Sequence, residues 1–418
     1  MVTVRPDRFV AGGDALARAV DGRVVFVRGA LPGELVTVEM TEEKREWSRG
    51  HVVEVVEPSD HRVTPPCRHR VAGCGGCDWQ HVEASAQLTA KAAILADAMR
   101  RTGGLNEAVI IEGPSAPSSA YRTSVRVVGT PSGRAGFRRE RSNETVDVDV
   151  CMVAHPALFD VLRNVTIEPD VELTLRVSVA TGQMTAMWDS RTGDVKGLPD
   201  TVKTGAKAAL YEDVVGHRFR VSAGSFFQSG PIAAGLLVDA VRRAAPEIDR
   251  SDHVVDAYAG VGLFGLAAVP ASSRTTSIET SRSSVQDASV NLAGRAATVV
   301  RSEVGAWRAG GERVDVVIAD PARSGLGKPG SNALAAARAP VMVLVSCDPV
   351  SLARDATLLR RHGYRHERTE VLDLFPMTHH VEAVTRFVAG DADNDADNDA
   401  DDDVGNDAVE RDGEALAH

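Results

Sequence analysis

The sequence predicts a multidomain α/β protein: a small N-terminal β-barrel, a central α+β unit built around clustered cysteines, and a C-terminal open parallel sheet with helices. Three observations carry this expectation. The chain has 418 residues, more than one ordinary core holds, so two or three domains are expected. Residues 1–58 read as short β segments separated by turns. From about residue 216, apolar strands alternate with helical stretches, the sign of a parallel sheet. The expected units are 1–58, 59–215, 216–390 and an acidic tail, 391–418.

In the first unit the β segments are RVVFVRGAL, ELVTVEM and RGHVVEVVEP, with Pro32-Gly33 as a turn. Arg and Lys are interleaved between Glu43 and Arg49. A small barrel with basic strand edges suits RNA. In the second unit, residues 83–102 predict a helix, with Leu88, Ala92, Leu95 and Met99 at three-to-four spacing and Gly103-Gly104 as its stop. A basic segment, GRAGFRRERSNETVDVDVC, leads into an alternating strand that ends at Cys151. In the third unit the strands are HVVDAYAG, TTSIET, VDVVIADP and VMVLVSCDP, with PIAAGLLVDAVRRAAP and the stretch from Ala333 as helices. Ligands of open α/β sheets gather at the carboxyl ends of strands. Asp256, Glu279, Asp320 and Cys347 all fall at such ends.

The net charge of -11 at first argues against a nucleic-acid partner. Its distribution removes the objection. Residues 391–418 hold twelve carboxylates and one arginine, which leaves 46 basic and 46 acidic residues before them. The tail has no apolar periodicity and is expected to be disordered. No run of apolar residues reaches membrane-spanning length and no secretory leader is apparent, so a cytoplasmic protein with no membrane partner is expected. A monomer is expected. Five cysteines, an odd number, argue against a disulfide framework in that compartment.

Gly260, Gly262 and Gly265 satisfy G-x-G-x-x-G after a strand, and Glu279 follows at the next strand end, positioned for a ribose diol. NAD and S-adenosylmethionine both carry such a ribose. Asp256 separates them: a carboxylate before the turn would repel a pyrophosphate and favour the amino group of an amino-acid-bearing cofactor. Cys347, at the end of VMVLVS, is a candidate nucleophile; a small buried hydrophobe is the plain alternative. Uracil C5 reacts with a sulfonium methyl only after a thiolate adds to C6, and a base must then remove the C5 proton. Glu382 in HHVEAVTRF is the candidate base, and Asp320 can accept from a pyrimidine N3–H. Cys67, Cys74 and Cys77 are clustered, and Cys151 is the remaining non-catalytic cysteine. Together they make a four-cysteine metal site, for zinc or an iron–sulfur cluster.

These motifs together resemble the RNA uracil-C5 methyltransferases of the bacterial 23S rRNA type, over nearly all of residues 1–390. CGGCDWQH, SFFQSGP, DAYAGVGLFGL, DPARSG, VSCDPVSLARD and HHVEAVTRF follow in that family's order. The resemblance implies a TRAM (OB-like) RNA-binding barrel and a Rossmann-like class I methyltransferase domain. It implies S-adenosylmethionine as methyl donor and RNA as partner, rRNA ahead of tRNA. Cys347 is then the nucleophile and Glu382 the base. Gln228, Tyr258, Glu279 and Asp320 hold cofactor or uracil. Cys67, Cys74, Cys77 and Cys151 hold a [4Fe–4S] cluster. Asp348 stands where the family usually has asparagine and is expected to raise the neighbouring thiol. A NAD-linked iron–sulfur oxidoreductase would leave Cys347 and Glu382 idle. A non-catalytic RNA-binding protein would tolerate loss of Cys347.

Overall fold

The computed structural model describes residues 1–205 and 207–390. The tail expected at 391–418 lies outside the described residues.

The first unit is one six-stranded sheet. Its order is Val2–Val4, Leu35–Glu43, Trp47–Glu57, Val24–Arg28, Ala15–Arg18, Arg8–Phe9. Laid flat, its outer strands would lie about 24 Å apart at the usual inter-strand spacing. Those two strands are consecutive in sequence, and the link from Val4 to Arg8 reaches about 14 Å at most. The sheet therefore curls on itself, as a barrel must. Val25, Val27, Val36 and Val38 alternate inward and are fully buried.

The central sheet has the order Thr145–Asp147, Ala135–Arg138, Ser124–Gly129, Glu172–Val177, Met184–Met187, Val202–Thr204. Helix Pro156–Leu162 covers it through Leu158, Phe159 and Leu162, packed on Val125, Leu173 and Leu175.

The C-terminal sheet has eight strands. The order is Ala297–Arg301, Arg274–Glu279, His253–Ala257, Val316–Ala319, Val341–Ser346, Glu382–Ala389, Tyr364–Asp373, Ile110–Ser115. The first five are parallel, and Glu382–Ala389 is inserted antiparallel. The chain order reverses between His253–Ala257 and Val316–Ala319, which opens a crevice at their carboxyl ends.

Two features cross the boundaries read from sequence. Helix Ala84–Arg101 and strand Ile110–Ser115 belong in sequence to 59–215 yet pack on the C-terminal sheet. The helix buries Ile94, Leu95, Ala98 and Met99 in one apolar core with Leu352, Ala356 and Leu359. The strand covers the otherwise open edge of Tyr364–Asp373. The change of pattern at 216 falls inside a hairpin, because Ala209–Val214 pairs antiparallel with His217–Ser222. Phe9 stacks on buried Trp79 at 4.6 Å, so barrel, cysteine segment and C-terminal sheet share one core. Among the described residues no helix is long and apolar enough to cross a membrane.

Candidate active site

Strand register brings the reacting groups together. Ser346 pairs with Ala383 across two antiparallel strands, and one further step sets Cys347 opposite Glu382. Side chains directly opposite in such a pair have Cβ atoms about 5 Å apart. Asp320 follows the neighbouring strand, its N–H donating to the Ala257 carbonyl at 3.2 Å. Cys347, Glu382 and Asp320 thus meet at the rim of one sheet.

Burial gives this rim its electrostatics. The Cys347 thiol is pushed up to about 12 by burial first, then by Glu382 and Asp320, with Asp348 adding and Arg323 opposing. Glu382 is raised well above the ordinary carboxyl value by burial and by Asp320, with Lys91 opposing. Asp320 is raised to about 7 by burial. Burial thus shifts all three groups towards the neutral form, with Asp320 balanced near pH 7. Asp348 adds only the smallest part, because it has another task. It is the N-cap of helix Pro349–Arg361, and its side chain accepts from the Ser351 N–H at 2.7 Å.

The glycine turn runs from the end of strand His253–Ala257 into helix Leu263–Ala267. Tyr258 and Gly260 both take positive φ, 60° and 55°. A side chain on Gly260 would meet nothing within 4 Å, so a ligand has room to approach that backbone. Gly262 caps the short helix. Gly265 has a different reason: a Cβ there would stand 3.3 Å from Asp256, Ser277 and Thr275 atoms. Glu279 is fixed at the same rim. One carboxylate oxygen accepts from Gly260 N–H at 2.9 Å, the other from Thr280 and Ser281 N–H, both at 2.7 Å. It remains half-buried and faces the turn. The Tyr258 hydroxyl, pushed to about 12 by burial and then by Asp355, packs close to Gly330.

Asp256 corrects the sequence expectation. It is 0 % exposed, beneath the turn rather than facing the crevice. One oxygen accepts from Gly265 N–H at 3.0 Å and the other has no partner. Burial, then that hydrogen bond in opposition, then Asp320 and Glu279 leave it near 7. Asp256 thus supports the loop through Gly265, and any contact it makes with a ligand runs through its unpartnered oxygen beneath the turn.

Gln228 lies in the loop between strand His217–Ser222 and helix Pro231–Ala244, with 8 % exposure. Sequence reading missed what holds this loop. Asp287, fully buried on helix Arg282–Asn291, accepts from Ser222 N–H and both Ser222 and Ser225 hydroxyls at 2.6–2.8 Å. Arg176 donates to the Ser222 and Ser225 carbonyls at 3.2 and 3.0 Å. Phe226, in the same loop, is 70 % exposed. His380 lies just before the strand that begins at Glu382.

Cys67, Cys74, Cys77 and Cys151 line one cavity of about 210 Å³, together with Arg70 and Arg122. Cys77 is pushed to about 12 by burial, with Arg122 opposing; Cys74 and Cys151 are raised, again by burial first. The four thiols share a cavity as the spacing requires. They are not gathered around a single point: among the described residues no group of three or more His, Cys, Asp or Glu side chains could hold a metal ion. The expected metal site is therefore present as a chamber and a donor set only.

On the barrel, the Arg49 guanidinium stands 5.6 Å from the Phe26 ring centre and 5.5 Å from Trp47, all three part-exposed. This is the stacking arrangement that single-stranded bases accept.

Comparison with known proteins agrees with this layout. Residues 2–53 match the TRAM domain model. An uncharacterized RNA methyltransferase of Streptomyces avermitilis is 34 % identical over 414 residues, 89 % of this chain and 94 % of that protein. A second, from Corynebacterium glutamicum, is 30 % identical over 402 residues, 93 % of this chain and 97 % of that protein. The crystal structure of the Pyrococcus abyssi tRNA (uracil-54, C5)-methyltransferase with S-adenosyl-L-homocysteine is similar in fold. It has a TM-score of 0.68 at 23 % identity and covers 92 % of this chain and 100 % of that one.

Proposed function

This chain belongs to the RNA methyltransferase family of those relatives, and on that premise we propose that it methylates C5 of a uridine in structured RNA, 23S rRNA first, through a covalent Cys347 adduct. One observation carries the reading: Cys347 directly follows Ser346, whose strand partner Ala383 directly follows Glu382, and Asp320 ends the neighbouring strand, so the three come to the rim where the sheet order reverses. An RNA guanine or adenine N-methyltransferase has no need of a thiol and a carboxylate in that relation.

The chemistry asks for those groups in turn. The Cys347 thiolate adds to uracil C6; the C–S bond forms and the ring π pair moves to C5 and O4. S-adenosylmethionine, when bound, supplies an electrophilic methyl on a sulfonium sulfur. C5 gains that methyl and the carbon–sulfonium bond breaks, its pair staying on sulfur. Glu382 takes the C5 proton; the freed pair restores C5=C6 and the Cys347 thiolate leaves. Asp320 accepts from N3–H and orients the ring. Gln228, Tyr258, Gly260, Gly262 and Glu279 form the cofactor and ring-binding wall. Arg323 is a nearby cation that favours the thiolate. The barrel, with Arg49, Phe26 and Trp47, supplies contact to RNA.

The cysteine chamber we assign to a [4Fe–4S] cluster. Its volume of about 210 Å³ exceeds what a single ion fills, and its two arginines suit an anionic group. No step of the methyl transfer passes through it. A broad absorbance near ~400 nm after anaerobic purification is the expected signature; a colourless protein with bound zinc would overturn this part.

The whole reading is tested by incubating the protein with methyl-labelled S-adenosylmethionine and total RNA from cells lacking it. Label in 5-methyluridine of rRNA is expected. Label in tRNA would move the substrate class, and label in any other nucleoside would overturn the reading.

A further inference from the structure

Helix Ala84–Arg101 carries a physical anomaly. Its first half buries Gln87 and Lys91, both 0 % exposed, where an amphipathic helix would bury apolar side chains. A buried lysine persists only with strong partners. Lys91 Nζ lies 2.6 Å from Asp373 and donates to the Phe375 carbonyl at 3.1 Å. Gln87, one turn earlier on the same face, accepts from Met377 N–H at 2.7 Å and donates to the Val82 carbonyl at 2.9 Å. Trp79 N–H donates to the Met377 carbonyl at 3.0 Å, and the Tyr121 hydroxyl to the Pro376 carbonyl at 3.1 Å.

Apart from the Gln87–Val82 bond, each of these ends on residues 373–377, the connection that leads into Glu382. Asp373 is the last residue of the strand whose Leu372 pairs with Glu382. The buried cation thus stands behind the base, across one strand.

We propose that Lys91 is a positioning residue for Glu382: its ammonium anchors the strand end at Asp373 and its charge keeps the neighbouring carboxyl available as a proton acceptor. This rests on the reading of Glu382 as the base. Electrostatics agrees in direction. The charged and titratable groups that act on Glu382 are Cys347, Asp320 and Lys91; Asp373 follows Leu372, the partner of Glu382, and so projects to the other face of the sheet with Lys91. Burial first, then Asp320, presses Glu382 towards its neutral form; Lys91 opposes them. Lys91 in turn is lowered by burial and restored first by Asp373.

The experiment separates methyl transfer from proton removal. Total RNA tritiated at uridine C5, from cells lacking the protein, is mixed with carbon-labelled S-adenosylmethionine and excess enzyme in a single turnover. Carbon label reports methyl transfer, and tritium in water reports loss of the C5 proton. Lys91→Met alone leaves Asp373 a buried unpaired charge and is expected to fold poorly. The test variant is therefore the charge-neutral pair Lys91→Met with Asp373→Asn. In that variant tritium release is expected to slow on the order of tenfold, with methyl transfer within about twofold and a methylated protein–RNA adduct accumulating. Its release rate should recover as pH rises, further than wild type does. Release at the wild-type rate overturns the proposal, and so does an equal loss of both labels, which marks a merely structural pair. Wild-type protein that releases no tritium overturns the uridine reading itself, and this inference falls with it.

Discussion

The proposed catalytic cleft and the cysteine chamber both hold buried thiols, but their neighbours differ in sign. In the cleft, Cys347 faces Glu382, Asp320 and Asp348, with only Arg323 in opposition. In the chamber, Arg122 and Arg70 stand beside Cys77, Cys151 and Cys74. Burial raises every one of these thiols. The chamber has cations built in and so suits a permanent anionic occupant. In the cleft the carboxyl groups of Glu382 and Asp320 are themselves raised, so burial first of all keeps the thiol neutral, and on the proposed reading a cationic methyl donor would relieve this. A permanent thiolate at the rim would be open to alkylation and oxidation between turnovers.

The comparison breaks most visibly at the thiols themselves. Cys347→Ala is expected to lower methyl transfer on the order of 10³-fold or more, with cofactor binding intact by calorimetry. Cys77→Ala should cost the ~400 nm absorbance while leaving cofactor binding unchanged. If both variants lose methyl transfer equally at saturating cofactor, the two sites are not chemically distinct.

A smaller effect sharpens the cleft. In Glu382→Gln the adduct should form and persist, with turnover reduced roughly a hundredfold and a protein–RNA band resistant to denaturant. Free turnover in that variant would place the base elsewhere.

Alkylation of Cys347 by iodoacetamide comes next. With its thiol near 12, the empty site should react faster with each rise in pH and show no plateau below pH ~9. S-adenosylmethionine, a cation at the sulfur, should raise the rate about tenfold more than the neutral S-adenosylhomocysteine does. A plateau near pH ~7 in the empty protein would show a thiolate already formed.

The smallest effect is on stability. Asp256 near 7 in the fold stands well above a free aspartate. Below the ordinary aspartate value it is protonated folded or unfolded, and nothing is lost. As pH climbs through that value towards 7, the unfolded chain sheds the proton and the fold retains it, so stability falls. Asp256→Asn removes this loss and should raise the melting temperature by several degrees at pH 8 and by little at pH 4. A uniform shift at both would point to packing instead.

Much of this was legible in sequence because it sits on local periodicity. The parallel strands, the glycine turn, the clustered cysteines and the placement of reactive residues at strand ends all follow from short patterns. What was not legible depends on contacts between segments far apart in the chain. Nothing near Lys91 marks it as buried, since its partner Asp373 lies 282 residues away. Asp287 reads as one polar residue on a modest helix until it meets Ser222 and Ser225, about 65 residues upstream by hydrogen bonding. Strand Ile110–Ser115 reads as an isolated run and finds its sheet only across the fold. Asp256 shows the converse case: its position at a strand end was legible, but the direction of its side chain, inward under Gly265, was not.

Incubation with 5-fluorouridine RNA and S-adenosylmethionine tests the shared claim most directly, because fluorine at C5 cannot leave as a proton. A stoichiometric complex, stable to denaturant and mapped by mass spectrometry to Cys347, is the result predicted. Contradiction would be a complex that survives Cys347→Ala, or none in wild-type protein that methylates the unfluorinated RNA.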